Sequence, residues 1–284
     1  AVEFAWQGQR RAAQAAAPGV QLDLRRRAAR PLLQGFAPAF VGQALARQAQ
    51  GLPGFQLAIG CQQVFQQDAP GHAVDDDGRY ALALLGPDRK IDPNSISDVF
   101  NYSESPQQYP IDTGRMRAVI EAAARGARWG RKLPRGHGLG LAFAYSFVTY
   151  TATVVEVAVR PDGELSLVAV DMALDCGPQI NPERIRAQME GGAVMGLSLA
   201  LTGEISFEHG RVQQSNFHDY EVLRHAQSPR TIRTHLVGGD PALPPGGVGE
   251  PPVPPVAPAL VNALFAATGQ RIRTLPVRQQ LRKT

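Results

Sequence analysis

Residues 244–255 read Pro-Pro-Gly-Gly-Val-Gly-Glu-Pro-Pro-Val-Pro-Pro, with a single carboxylate, Glu250, in their midst. Three glycines permit a backbone path closed to other residues and allow a ligand to approach closely. Prolines on both sides fix φ and remove amide donors, so the segment is stiff. A carboxylate held in such a frame and poorly solvated suits a positioned general base: rigidity fixes its geometry, and lost solvation tunes its pKa. A tight structural loop with an exposed glutamate accounts for the same residues, and composition alone leaves both readings open.

Other groups could also do chemistry. Gly191 and Gly192 interrupt a helical pattern, and two such residues cost about 1 kcal/mol each relative to alanine, so a helix or a ligand must come close to the backbone there. Gly136, Gly138 and Gly140 form a weak phosphate-loop pattern, weak because a strand follows where a helix would be needed. His137 in that stretch, and His218 beside Asp219, read as hydrogen-bonded structural residues; the second pair is also compatible with a proton relay. Cys61 and Cys176 are the only cysteines. That excludes a disulfide framework or an iron–sulfur cluster held by this chain alone, while a single disulfide stays open. Asp75-Asp76-Asp77-Gly78 lacks the later ligands of a calcium loop and reads as a solvated turn.

These groups need elements to position them. Helix-forming runs cover 10–17 and 40–50. Asp112 or Thr113 caps a helix through Met116, Val119, Ile120 and Ala123 to Gly126. A glycine-rich loop follows from Leu133 to Gly140. Strands span 147–159 and 165–170 around a Pro161-Asp162-Gly163 turn, with room for a bulge. Asn181-Pro182-Glu183 starts a helix that reaches Leu201. A hairpin turns at Glu208-His209-Gly210, and Thr231 to Val237 is a strand. The Pro/Gly loop then leads into a helix from Val256 to Thr268, stopped by Gly269, and Arg271 to Leu275 reads as a last short strand. The fold class expected is α/β (α+β), mixed sheets with packed helices.

The 284 residues, 44% hydrophobic, suffice for a substantial core. The net charge of +4 is mild. Its densest run, Arg25-Arg26-Arg27 with Arg30, reads as a solvated face or a contact for an acidic partner. No nucleic-acid partner is expected, because no matching fold motif accompanies it. No apolar run reaches the ~20 residues of a membrane span. The chain begins Ala1-Val2-Glu3-Phe4 without methionine, as a processed product or a fragment would.

The sequence resembles a known family at three ordered segments. Gly246 to Glu250 followed by Pro251 to Gly269 is similar to the active-site loop and helix of molybdenum hydroxylases of the xanthine dehydrogenase/aldehyde oxidase family. Asp175-Cys176-Gly177-Pro178-Gln179-Ile180-Asn181-Pro182 with Gln188-Met189-Glu190-Gly191-Gly192 resembles a second segment. Gln213 to Tyr220 resembles a third. Tyr109 to Arg115 is similar to the isoquinoline 1-oxidoreductase-like large subunits in particular. The resemblance runs from about Tyr80 to Val277 and implies a division into 1–86, which fits poorly, and a molybdopterin-binding region, 87–284.

The resemblance implies an oxidoreductase that hydroxylates aldehydes or N-heteroaromatic compounds with water as oxygen source. Its cofactor would be molybdopterin cytosine dinucleotide with molybdenum, held through the pterin and not by protein ligands, with iron–sulfur clusters on a partner chain. Glu250 matches the catalytic base. Val248 and Gly249 match backbone bordering the metal, with Gly247 beside them. Gln188 matches a pterin contact, and Gly191 and Gly192 would let their helix approach it. Cys176 reads as a small buried residue. The family's large subunit is much longer, and its upstream Gly-Gly-Gly-Phe-Gly segment is missing. The partners implied are therefore an upstream fragment or chain that completes the molybdenum subunit, an iron–sulfur subunit, a cytochrome c subunit as a further candidate, and a small-molecule substrate. The bacterial cytoplasm and the periplasmic side of the inner membrane both suit it. The rival reading is a noncatalytic scaffold or assembly fragment that kept the fold.

Overall fold

The computed structural model describes residues 79–92, 104–277 and 280–281, all within one structural unit, Val41–Thr284. The expected helices at 10–17 and 40–50, the basic run at 25–30, Cys61 and the Asp75–Gly78 turn lie outside the described residues.

The first described elements are helix α1 (Arg79–Leu85) and strand β1 (Lys90–Ile91), which pairs antiparallel with β2 (Ile111–Asp112). Helix α2 (Thr113–Gly126) follows at once. Its start is where the sequence places it: Asp112 Oδ1 accepts from the Gly114 and Arg115 amides at 2.9 and 3.1 Å, satisfying two of the helix's free donors. Its end is less usual. Trp129 N donates to Ala124 O, and Arg128 N to Arg125 O, the pair of bonds that closes a helix through a left-handed residue. Here that residue is Arg128, with φ 51°, where an L-residue costs about 1–2 kcal/mol relative to glycine.

Four strands make the main sheet: β3 (His137–Ser146), β4 (Thr149–Val159), β5 (Leu165–Asp175) and β8 (Thr231–Leu236). The spatial order is β3-β4-β5-β8. The first three form an antiparallel meander, with a register shift at Glu156/Val157, and β8 joins β5 in parallel. A parallel pair needs a crossover, and helix α3 (Pro182–Leu201) lies in it. Asn181 Oδ1 caps α3 by accepting from Arg184 N at 3.1 Å, with Pro182 in its first turn. A small hairpin, β6 (Phe207–Glu208) and β7 (Arg211–Val212), follows α3, and helix α4 (Val256–Thr268) comes after the Pro/Gly loop. It stops at left-handed Gly269, as expected.

The architecture is three-layered. Alternate residues of the strands face opposite helices. Leu139, Leu141, Phe143, Tyr150, Ala152 and Val154 pack with α1 and α2. Ala142, Val155, Val157, Val170, Met172 and Leu174 pack with α3 and α4. This is the mixed α/β arrangement the sequence predicts, and the bulge falls in the expected hairpin.

Four local expectations need correction. The glycine-rich stretch at 133–140 is not a phosphate loop, since its second half is strand β3. A Cβ on Gly138 would come within 2.2 Å of Ala263 O, and one on Gly140 within 2.2 Å of Ala259 O and Ala263 N. These glycines let α4 lie directly on the strand. Phe147 and Val148 do not begin β4; both have positive φ, 51° and 54°, and form the tight turn between β3 and β4. Strand β5 runs five residues past Val170 to Asp175, because its interior acids are neutralised from other elements. Residues 271–275 form no strand.

Candidate functional site

Strand β8 delivers the chain to the 244–255 loop, which is clamped onto the turn between β3 and β4. Gly246 N donates to Cys176 O at 2.8 Å, and Gly247 N to Phe147 O at 2.9 Å. The Thr149 hydroxyl donates to Gly247 O at 2.6 Å, and Tyr109 OH to Pro245 O at 3.0 Å. A Cβ on Gly246 would lie 2.2 Å from Thr149 Oγ1, and one on Gly247 2.7 Å from Phe147 Cβ. Both glycines are thus required by how closely the loop meets the hairpin. The backbone N–H and C=O of Gly247 are already used by that contact.

Beneath the clamp is a buried polar network. Arg115, from the first turn of α2, holds Asp175 at the end of β5, and its guanidinium lies 4.6 Å from the centre of the Tyr150 ring. Asp175 Oδ1 also accepts from Gly177 N at 2.9 Å, turning the chain toward Cys176. Tyr150 OH accepts from Asp112 N at 2.7 Å and donates to Pro110 O at 3.1 Å. Burial raises the Tyr150 phenol well above its ordinary range. Although burial disfavours its charge, hydrogen bonding and attraction to Asp175 raise the Arg115 guanidinium net. Cys176 is buried as expected, and desolvation pushes its thiol up. It therefore reads as core and not as a nucleophile.

The expected site residues separate into two groups. Gln188, Gly191, Gly249 and Glu250 are exposed, and a Cβ on Gly249 would have Gln188 Nε2 as its near neighbour at 3.6 Å. Helix α3 and the loop therefore bring Gln188 and Gly249 together, with Glu250 next in the chain. A Cβ on Gly191 would meet nothing within 4 Å. Gly192, by contrast, is buried, and its Cβ would be 2.7 Å from Pro252 Cβ: it is the seat of helix-to-loop packing. Val248 is half-buried and joins the core. Glu250 is not withdrawn from solvent as the sequence suggested. Pro251 and Pro252 on its C-terminal side are buried and hold its backbone, while the carboxylate projects from the described residues.

The two histidines stand apart from this cluster. His137 Nδ1 lies 3.7 Å from Glu156 Oε1. His218 is exposed, with Nε2 3.5 Å from Asp219 Oδ2. Asp219 instead closes its own turn, accepting from the Asn216 and Ser215 amides and the Ser215 hydroxyl. Those bonds hold its carboxyl down to about 2. Arg115, Asp175, Tyr150 and Thr149 are the positioning residues that sequence reading missed. Their only signal was that Arg115 and Asp175 sit inside the resembling segments.

The exposed cluster fits an organic cofactor. Gly191 presents backbone that no described side chain covers, Gly249 has only the Gln188 side chain near it, and neither the Gln188 amide nor the Glu250 carboxylate bonds to a described residue. Among the described residues no group of three His, Cys, Asp or Glu is placed to hold a metal ion. The family described as molybdopterin cofactor-binding domain matches residues 101–229. Over that stretch the chain is similar to molybdopterin cofactor-binding domains, and the relatives that it matches are molybdenum hydroxylase subunits. The isoquinoline 1-oxidoreductase of Brevundimonas diminuta is, in its beta subunit, 39% identical over 171 residues, 59% of this chain and 22% of that one. The molybdenum-binding subunit of an aldehyde oxidoreductase of Escherichia coli is 30% identical over 173 residues, 59% of this chain and 24% of that one. Among solved structures, the aldehyde oxidoreductase of Desulfovibrio gigas superposes with TM-score 0.41 at 26% identity, over 46% of this chain and 15% of that one. The chain thus spans about a fifth of the length of the curated relatives it matches. The family match ends before the 244–255 loop, so Glu250 rests on its own geometry.

Proposed function

We propose that residues 87–284 supply part of the cofactor site of a molybdenum hydroxylase that oxidises aldehydes or N-heteroaromatic compounds, with Glu250 as general base. The observation that carries this reading is the convergence of helix residue Gln188 and loop residue Gly249 on one open face, the loop being clamped by four hydrogen bonds, with exposed Glu250 next in the chain. In this reading the cofactor is molybdopterin cytosine dinucleotide, lying against Gln188, Gly191 and the Val248–Gly249 backbone. When bound it supplies the redox chemistry, taking two electrons from the substrate carbon as oxygen from water is added. The chain's own part is narrower. Gln188 offers an amide that can donate and accept, Gly191 and Gly249 allow close approach, and Glu250 serves as the proton acceptor. An upstream chain would cover the carboxylate and remove it from water, and iron–sulfur clusters on a partner would take the electrons.

The test is Glu250→Gln in the assembled complex. The expected result is a fall in kcat of about two to four orders of magnitude with molybdenum content unchanged. Unchanged turnover removes the base assignment. A chain purified metal-free with no partner bound would favour the scaffold reading.

A further inference from the structure

At the start of β5 and β8, where the end of α2 meets the sheet, lies a cavity of about 450 Å³. Arg128, Arg131, Arg230 and Arg233 line it, and Glu156 is the one acid among its described lining residues. The 244–255 loop is reached from the other end of β5, about 20 Å further along the strand. The cavity therefore takes no part in the site described above.

Two of the guanidiniums are anchored. Arg131 donates to Glu156 Oε2 at 2.6 Å and to Ala127 O. Arg233 donates through Nε to Asp171 Oδ1 at 2.7 Å and through Nη2 to Oδ2. Each bond uses one of the five N–H groups a guanidinium carries, so both keep donors to spare. Asp171 also meets His235 Nε2 at 3.1 Å. It is buried behind Arg233, so its role is to fix that side chain. The guanidiniums of Arg128 and Arg230 bond to no described residue. Arg128 occupies the left-handed position that closes α2, where glycine would fit without strain. Backbone strain tolerated at a residue that lines a cavity points to a use for its side chain.

We propose that this cavity binds a phosphate or diphosphate group. Arginine's planar fork pairs with phosphate oxygens through two parallel bonds. Two anchored forks give a pre-set geometry, and two with no partner among the described residues supply further positive charge. The excess of positive charge along its lining concentrates anions there. The volume is that of an ordinary small-ligand pocket and accommodates a nucleoside diphosphate as well as inorganic diphosphate.

Calorimetric titration of the full 284-residue chain with inorganic pyrophosphate, ADP and adenosine tests this. Pyrophosphate is expected to bind, and Arg230→Ala and Arg128→Gly are each expected to weaken it at least tenfold. ADP binding more tightly than pyrophosphate identifies a nucleotide as the source of the phosphates, and equal binding identifies a free diphosphate. Adenosine binds in neither case. Because glycine suits the left-handed position, Arg128→Gly should keep or raise the melting temperature, which separates lost binding from lost folding. The proposal is overturned if millimolar pyrophosphate gives no heat of binding, or if both variants bind as the wild type does. It is also overturned if polyglutamate displaces pyrophosphate at lower concentration, since the cavity would then be a dock for an acidic protein surface.

Discussion

Arg115 holds Asp175 through two parallel hydrogen bonds, Nε to Oδ2 at 2.9 Å and Nη2 to Oδ1 at 2.7 Å, and so ties the start of α2 to the end of β5. The Asp175 side chain is only 4% exposed. Removing the arginine leaves a buried carboxylate without its countercharge, a change that costs about 3–5 kcal/mol. Arg115→Ala is therefore expected to lower the urea midpoint sharply. Arg115→Lys keeps the charge but not the fork, and its midpoint should fall between the two.

Gly191 and Gly192 are neighbours with opposite expectations. Gly191→Ala adds a methyl group in open space and removes a flexible residue from a helix, so the chain should gain up to about 1 kcal/mol. Gly192→Ala drives a methyl group against Pro252 and should lose about 1–3 kcal/mol by overpacking. Thermal unfolding of both variants checks the signs. If the cofactor does lie along α3, Gly191→Ala should also lower the molybdenum content of the assembled complex despite its greater stability.

Gly140→Ala brings a methyl group against backbone atoms of α4, which cannot rotate away as a side chain can. The loss should exceed that of Gly192→Ala, where the neighbour is a proline ring. Equal melting temperatures for Gly140→Ala and the wild type would contradict the close seating of α4 on β3.

Asp171 gives a pH dependence. Burial alone would raise its carboxyl, but hydrogen bonds from His235 and Arg233 outweigh that and hold it below the ordinary carboxylate range. A carboxyl depressed in the folded state binds protons less readily than in the unfolded chain. Its stabilisation is present above the unfolded value of about 3.9 and is lost as pH falls through the folded value. Urea midpoints measured from pH 5 down to pH 2.5 should fall less steeply for Asp171→Asn than for the wild type.

The parts of this fold legible in the sequence are those governed by nearby residues. Asp112 and Asn181 cap helices because a side chain reaches two or three residues ahead, and Gly269 stops α4 because a left-handed residue is needed there. The misread parts depend on distant ones. Gly138 and Gly140 look like loop glycines until α4, more than a hundred residues later, is laid across them. Asp171 and Asp175 look like the end of a strand until Arg233 and Arg115 neutralise them within it. The site was legible in the same uneven way. The loop's composition singled out Glu250, but its exposure and its clamping by Thr149 and Tyr109 follow from packing.

Seating α4 on β3 also orders events in time. The strand leaves the ribosome long before the helix that closes its inner face. During that interval a nascent chain presents Ala142, Val155 and Val157 beside two bare glycines, a flat apolar surface with nothing to cover it. Contacts between segments so far apart form slowly, and an uncovered sheet face is prone to aggregate while it waits. The yield of soluble protein should therefore depend on translation speed and chaperone supply more than the stability of the finished fold would suggest.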